Sequence, residues 1–146
     1  MDTYNMIDFN KKKGFICDMD GVIYHGNRVL PGVAEFIQWL HDEDKEYLFL
    51  TNNSGYTPRE LHQKLERLGL DVSEEHFYTS ALATAAFLRD QAPGCSVFAI
   101  GEAGLLNALY DAGITMNDVN PDYVIVGEGR NYSLDSLTKA TNLVLA

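Results

Sequence analysis

The sequence predicts an α/β fold in which helices cover a parallel sheet. Short apolar runs alternate with helical apolar stripes along the chain, the order expected when each strand is followed by a crossover helix. Two of the runs end in acidic or polar residues, as strands do at the ligand-binding edge of an open parallel sheet. The chain has 146 residues and is 46% hydrophobic, so it can bury a core.

The first half of the chain contains three apolar runs and two helical patterns. The capping box Thr57-Pro58-Arg59-Glu60 places proline at the first position of a helix, and Gly69 is a good stop for it. The expected elements are a strand over 14–17, a helix opened by Pro31, a strand over 47–50, the helix capped by Thr57, and a short strand over 77–79.

The second half continues the alternation. The expected elements are a helix over 81–91 that Ser80 could cap, a strand over 97–100, a helix over 102–112, a strand over 123–126, and a last helix from near Ser133 to the final residue. The last four residues, Leu143 to Ala146, are apolar and include no glycine or polar tail. Natural helix ends usually contain a glycine, a capping residue or a polar tail. Because none of these is present, we expect the chain to stop inside a longer protein.

Composition narrows the function classes. The net charge is −10, from 21 acidic and 11 basic residues, which argues against a nucleic acid partner because the phosphates would be repelled. No apolar run approaches the ~20 residues that span a bilayer, and the N-terminus lacks the apolar stretch of a signal peptide. We therefore expect a cytoplasmic protein without a membrane partner. Cys17 and Cys95 are expected to be small core residues.

The first chemically informative segment is Asp18-Met19-Asp20-Gly21, directly after the first strand. Two carboxylates one residue apart repel each other, and a divalent cation such as Mg²⁺ relieves that repulsion through hard oxygen ligands. One carboxylate could then attack phosphorus while the other handles the proton of the leaving group. Gly21 would let the backbone turn and bring N–H groups near a ligand. The alternative is a solvated Asp-x-Asp-Gly turn.

The second segment, Thr51-Asn52-Asn53-Ser54-Gly55, follows the next strand of the first half. The separation of about thirty residues fits one crossover helix, so the two strand ends should be neighbours. A hydroxyl and successive backbone amides could hold phosphate oxygens opposite the attacking carboxylate. Taken alone, this segment would be an ordinary polar loop between a strand and a helix.

Together these segments resemble the first two signature motifs of the haloacid dehalogenase-like hydrolase superfamily, and the wider chain resembles its NagD and 4-nitrophenylphosphatase branch. The resemblance extends from about Phe15 to Ala146. These segments carry it: Asp18-Met19-Asp20-Gly21-Val22, Thr51-Asn52-Asn53-Ser54, Tyr78-Thr79-Ser80-Ala81, Gly101-Glu102 and the run from Asp118 to Glu128.

The resemblance implies a Mg²⁺-dependent phosphatase acting on a small phosphorylated metabolite such as a sugar phosphate or nucleotide. Asp18 would be the nucleophile and a metal ligand, and Asp20 the general acid/base with its carbonyl on the metal. Thr51, Asn52 and Asn53 would bind the phosphoryl group. Residues 1–80 would form part of a Rossmann-like core, with a flap over 22–30, and residues 81–146 part of an inserted α/β cap.

One departure from the family pattern matters. The family also needs a lysine and an acidic loop, which in this branch lie after the cap. Glu102 and Glu128 follow strands, as the acidic loop of the family does. The family loop carries a second acid four residues further on, whereas this chain has Leu106 and Tyr132 at those positions. We therefore expect the 146-residue chain alone to be a very poor catalyst. Alternatives are a non-catalytic phospho-accepting module and a ligand-binding module, and self-association through the cap stays open.

The remaining candidates are less specific. His25 falls in the implied flap and could contact a substrate, whereas His41, His62 and His76 are expected to be structural or solvated. Arg130 and Tyr132 lie in a loop after a strand, where they could also contact a substrate.

Overall fold

A computed structural model describes residues 7–130 and 132–146. Within those residues the chain is a mixed α/β protein with two three-stranded parallel sheets and one two-stranded hairpin. The strands are β1 Gly14–Asp18, β2 Tyr24–His25, β3 Arg28–Val29, β4 Glu46–Thr51, β5 Phe77–Thr79, β6 Ser96–Ile100, β7 Thr115–Met116 and β8 Tyr123–Val126. The α-helices are α1 Val33–Asp42, α2 Pro58–Arg67, α3 Ser80–Gln91, α4 Ala103–Asp111 and α5 Leu134–Leu145.

The first sheet has the order β1-β4-β5, and all its pairs are parallel. One face carries Phe49 and packs with helices α1 and α2 into a hydrophobic core, which also contains Leu40, Leu61 and Leu65. The other face is open: Ile16 is 72% exposed. We call residues 7–79, which build this sheet and its core, the N-terminal lobe.

The second sheet has the order β7-β6-β8 and is also parallel. Its core is a separate cluster formed by strand β6 with helices α3 and α4, including Ala85, Val97, Leu105 and Leu109. We call residues 80–130 and 132–146 the C-terminal lobe. Its correspondence to an inserted cap remains a prediction.

The capping box of helix α2 is confirmed. The hydroxyl of Thr57 accepts the amide hydrogen of Glu60 at 3.2 Å, and Glu60 Oε2 accepts the amide hydrogen of Thr57 at 2.8 Å. Because both orphan groups are satisfied locally, the helix start is fixed by sequence alone. Gly69 follows the helix at φ +83°, a left-handed conformation that glycine adopts without strain.

One predicted cap is wrong. Thr79, not Ser80, caps helix α3 by accepting the amide hydrogen of Leu82 at 3.2 Å. Ser80 is the first helical residue, and its hydroxyl donates instead to the carbonyl of Asn52 at 2.8 Å. The hairpin β2–β3 and strand β7 were not predicted, because two-residue strands are too short to show a period.

Both cysteines are free thiols: Cys95 is buried and Cys17 is half-buried. Burial raises the pKa of the Cys17 thiol.

Among the described residues, none of the helices combines the length and the apolar content that crossing a bilayer would require.

Candidate active site

The two segments singled out in the sequence lie at adjacent strand ends. Asp18 is the last residue of β1 and Thr51 the last residue of β4, and the two strands pair in parallel with Asp18 opposite Leu50. Because parallel neighbours end at the same edge of the sheet, both loops leave the sheet side by side. The prediction that these strand ends are neighbours is confirmed.

Thr51 is the point of contact between the two loops. Its hydroxyl donates to Oδ2 of Asp20 across 3.4 Å and accepts the amide hydrogen of Asn53 at 3.1 Å. The first contact is long and therefore weak, whereas the second has ordinary length. Thr51 is 6% exposed, so its hydroxyl is held in place by packing as well as by these bonds.

Asp18 opens onto a cleft. Its Oδ1 accepts the amide hydrogen of Met19 at 2.8 Å, and the side chain is exposed. The cleft has a volume of about 550 Å³ and is lined by Asp18, Leu50, Thr51, Asn52, Tyr78, Thr79, Ser80 and Ala83. Asp18, Thr51 and Asn52 thus share one cavity, and Asp20 joins them through Thr51.

The turn after Met19 is closed by backbone hydrogen bonds. The carbonyl of Met19 accepts the amide hydrogen of Ile23 at 2.9 Å, and the amide of Gly21 donates to the carbonyl of Tyr24 at 2.8 Å. Gly21 has φ +80°, which explains why a residue without Cβ stands here. Because its N–H group already has a partner, Gly21 contributes through the shape of the turn.

Sequence reasoning missed two residues beside Asp20. The Lys64 ammonium lies 3.9 Å from the ring centroid of Tyr24, and Tyr24 is only 3% exposed. Burial, reinforced by the Asp20 carboxylate, raises the pKa of Tyr24 well above its ordinary value. Burial also lowers the pKa of Lys64, although attraction to Asp20 opposes that shift. No spacing rule connects residue 64 with residue 20, so this contact has no signature in the sequence.

The oxygen atoms at this edge of the sheet are of the type that binds Mg²⁺. Asp18 and Asp20 supply hard carboxylate oxygens at the sheet edge, the ligand type that Mg²⁺ prefers. Among residues 7–130 and 132–146, no group of three or more histidine, cysteine or acidic side chains is placed to hold a metal. Mg²⁺ commonly takes one or two carboxylates and fills its remaining positions with water and phosphate oxygens. The carboxylate of Asp18 with the main-chain carbonyl of Asp20 would therefore suit a Mg²⁺ site that water and substrate help to complete.

The two glutamates of the C-terminal lobe lie beside the second loop instead of the first. Glu102 Oε1 accepts the amide hydrogen of Arg130 at 3.1 Å, and the amide of Glu128 donates to the hydroxyl of Ser54 at 2.7 Å. The hydroxyl of Tyr132 donates to the carbonyl of Gly127. These contacts give the segment a structural role at the junction of the lobes.

Three histidines are structural, as expected. His62 Nδ1 donates to the carbonyl of Val72 at 2.8 Å, and His76 Nδ1 donates to the carbonyl of Tyr47 at 2.9 Å. His41 Nε2 is hydrogen-bonded to the hydroxyl of Tyr47 at 2.9 Å. His25 is exposed on strand β2, and a substrate contact there remains a prediction.

The sequence is similar to those of known proteins. The chain is 44% identical over 131 residues to a dihydroxyacetone phosphatase of Corynebacterium glutamicum, covering 90% of this chain and 48% of that protein. It is 46% identical over 132 residues to the ribonucleotide monophosphatase NagD of Escherichia coli, covering 90% and 52%. The chain thus spans about half the length of these curated relatives.

Solved structures agree with the sequences. The structure of NagD from Escherichia coli superimposes with a TM-score of 0.85 at 45% identity, over 90% of this chain and 52% of that one. A 4-nitrophenylphosphatase from Thermotoga maritima gives a TM-score of 0.86 at 32% identity, over 93% and 52%. A family model described as haloacid dehalogenase-like hydrolase matches residues 15–115. The chain therefore belongs to the haloacid dehalogenase-like hydrolase family.

Proposed function

We propose that this chain carries the phosphate-transfer site of a Mg²⁺-dependent phosphomonoesterase that works through an aspartyl-phosphate on Asp18. One observation carries the proposal: Asp18 and Thr51 end neighbouring parallel strands and line one cleft, with Asp20 in contact with the Thr51 hydroxyl. The proposed nucleophile and the proposed phosphate-binding hydroxyl then line the same cleft, and the proposed proton carrier is bonded to that hydroxyl.

The chemistry proceeds in two balanced steps. An oxygen of Asp18 attacks phosphorus, the bond to the leaving oxygen breaks, and Asp20 gives that oxygen its proton. Asp20 then takes a proton from water, the water oxygen attacks phosphorus, and the bond to Asp18 breaks to release inorganic phosphate. Thr51, with Asn52 and Asn53, holds the phosphoryl oxygens in place. Asp18 and the carbonyl of Asp20 would hold Mg²⁺, which would supply positive charge to stabilise the phosphoryl oxygens.

The substrate class follows from the names of the relatives. One is named dihydroxyacetone phosphatase and another ribonucleotide monophosphatase, and they are 44% and 46% identical to this chain. Several staphylococcal relatives are named acid sugar phosphatases. The proposed substrate is accordingly a small phosphorylated metabolite in the cytoplasm, such as a sugar phosphate or nucleotide. The C-terminal lobe, as a partial cap, would select the substrate and could mediate self-association.

Turnover by the 146-residue chain itself is expected to be very low. Among the described residues no third acid joins Asp18 and Asp20, and the family lysine is implied beyond the cap. Losing such preorganised charges costs a factor of about 10² each. The two loops are therefore expected to accept a phosphoryl group on Asp18, but not to release it as inorganic phosphate at an efficient rate.

Fluoroberyllate, a mimic of the phosphoryl group on aspartate, tests the site without requiring turnover. The chain would be incubated with beryllium fluoride and Mg²⁺, and the adduct detected by fluorine NMR and mapped by substitution. Asp18→Asn is expected to abolish the adduct. Asp42→Asn is the matched control, since Asp42 is exposed at the end of α1 and, among the described residues, its side chain bonds only Gln38 of the same helix.

The outcomes separate the candidate functions. An adduct that forms on another residue, or that survives in Asp18→Asn, contradicts the proposal. An adduct on Asp18 in a protein that never hydrolyses phosphomonoesters, even at high protein concentration, would favour the phospho-accepting module. Binding of phosphometabolites without any adduct would favour the ligand-binding module.

A further inference from the structure

The loop that follows Thr51 is also the place where the two lobes meet. We call residues 53–56 the junction loop. The hydroxyl of Ser54 accepts the amide hydrogen of Glu128 at 2.7 Å, and the carbonyl of Gly55 accepts the amide hydrogen of Gly104 at 3.0 Å. Ser54 is 5% exposed, so this contact is closed to solvent. Two backbone amides of the C-terminal lobe thus bond to one loop of the candidate active site.

Glycines permit this close approach. A Cβ atom on Gly104 would lie 2.4 Å from the carbonyl oxygen of Ser54 and 2.5 Å from that of Tyr56. A Cβ atom on Gly127 would lie 2.8 Å from the hydroxyl oxygen of Ser54. Because the atoms met at Gly104 are backbone, any larger residue there must push the junction loop away. Gly104 therefore sets how closely the C-terminal lobe can approach the junction loop.

From the junction loop, hydrogen bonds continue into the candidate active site. The amide of Gly55 donates to Oδ1 of Asn53 at 2.7 Å, and the amide of Asn53 donates to the hydroxyl of Thr51 at 3.1 Å. That hydroxyl donates in turn to Asp20. An unbroken series of contacts therefore leads from the C-terminal lobe to the proposed general acid/base.

A second contact holds Asn52, the residue just before the junction loop. The hydroxyl of Ser80 donates to the carbonyl of Asn52 at 2.8 Å. Ser80 begins helix α3, whose buried face belongs to the core of the C-terminal lobe. The loop that would bind the phosphoryl group is thus fixed at Asn52 and at Ser54, in both cases by residues of that lobe.

We propose that Ser54 is a positioning residue, through which the C-terminal lobe sets the orientation of Thr51 and Asn53 toward the phosphoryl group. The lobe then acts on the phosphate-binding loop itself, in addition to any contact it makes with substrate. The expected effect on phosphoryl binding rests on the proposed function. The structural coupling between Glu128 and the junction loop is independent of that function. The two can therefore be tested apart.

Amide hydrogen exchange on the full 146-residue chain tests the coupling. Ser54→Ala removes the acceptor of the Glu128 amide, so exchange at Glu128, Gly55 and Asn53 should accelerate on the order of 5- to 10-fold, the loss expected for one hydrogen bond. Gly104→Ala leaves the Ser54 hydroxyl in place but displaces the junction loop. It should therefore accelerate amide exchange at Gly55 and Asn53. Cooperative thermal unfolding of each variant would show that it remains folded.

Two substitutions serve as matched controls. Gly14→Ala places its Cβ 3.6 Å from the carbonyl oxygen of Glu46, an ordinary contact. Ser96→Ala removes the bonds that the Ser96 hydroxyl makes with Asp122, and both residues lie within the C-terminal lobe. Neither should change exchange at Gly55 or Asn53. Acceleration there by the controls, or its absence in folded Ser54→Ala, would overturn the proposal.

Fluoroberyllate binding supplies a readout that a merely structural role would not move. In Ser54→Ala the affinity for fluoroberyllate should fall about 10-fold, while the melting temperature should stay close to that of Ser96→Ala. If the parent protein forms no adduct, the proposed function fails, and the exchange measurements still decide the coupling. If the parent forms an adduct and folded Ser54→Ala binds it equally well, the positioning role is wrong.

Discussion

The hydroxyl of Thr51 lies 3.4 Å from Oδ2 of Asp20 and accepts the amide hydrogen of Asn53 at 3.1 Å. One buried hydroxyl therefore connects the two loops that the sequence places after separate strands. If it also holds a phosphoryl oxygen, its removal must weaken both the loop and the ligand site.

Thr51→Val keeps the shape of the side chain and removes only the hydroxyl. We expect the affinity for fluoroberyllate to fall about 10²-fold, because a preorganised donor is lost together with the acceptor of the Asn53 amide. Thr51→Ser should stay within tenfold of the parent. Thr141→Val is the control, since the Thr141 hydroxyl donates to the carbonyl of Leu137 within helix α5, away from the cleft. Parent-like binding by Thr51→Val would remove Thr51 from the site.

Tyr47 predicts a loss of stability in alkali. Burial, with the charges of Asp71 and Glu75, raises the pKa of Tyr47 from 10.0 to about 12. The unfolded chain then releases this proton first, so the contribution is complete below pH 10 and is lost as pH rises from about 10 to about 12. The free energy of unfolding should fall by up to about 1.4 kcal/mol per pH unit from this group.

The corresponding measurement is urea unfolding at several pH values between 9 and 12. Tyr47→Phe retains the ring stacked 3.8 Å from His76 and loses the hydroxyl bonded to His41, so its decline should be shallower. Tyr24 has a raised pKa too and keeps part of the slope. Tyr110→Phe, at a position 80% exposed, should follow the parent curve. An unchanged slope in Tyr47→Phe would contradict the assignment.

The two faces of the first sheet should respond differently to substitution. Phe49 is 0% exposed on the covered face, and Phe49→Ala should lower the free energy of unfolding by about 3–5 kcal/mol. Ile16 is 72% exposed on the open face, and Ile16→Thr should change it by less than about 0.5 kcal/mol. Chemical denaturation measures both, and comparable losses would mean that the open face is covered in solution.

The capping box of helix α2 provides a local test. Thr57→Ala removes an acceptor of the Glu60 amide and should cost about 1 kcal/mol in thermal unfolding. Ser73 occupies the equivalent position before the short 3₁₀ helix Glu74–His76 but makes no side-chain cap hydrogen bond. Ser73→Ala should therefore cost much less, and an equal cost would argue against the cap.

The features that the sequence could predict are those set by local chemistry. Apolar runs located the longer strands, and the capping box located helix α2, because each depends on neighbours within a few residues. The adjacency of Asp18 and Thr51 followed from the rule that parallel strands end at one edge.

The features it could not predict depend on distant contacts. Thr79 and Ser80 offer the same hydroxyl chemistry, and only the carbonyl of Asn52 decides which of them is free to cap the helix. Ser54 and Glu128 are 74 residues apart, and no sequence pattern joins them. The position of Lys64 over Tyr24 likewise depends on how helix α2 packs against the turn after Met19.

The open face of the first sheet has a colloidal consequence. Ile16 and Tyr78 present apolar surface there, while the whole chain carries a charge of −10. In dilute buffer, where charges act over roughly 30 Å, neighbouring molecules repel one another before these patches can touch. At 1 M salt the range falls to about 3 Å, and the apolar patches can meet. The solubility of this protein should therefore decline as ionic strength rises.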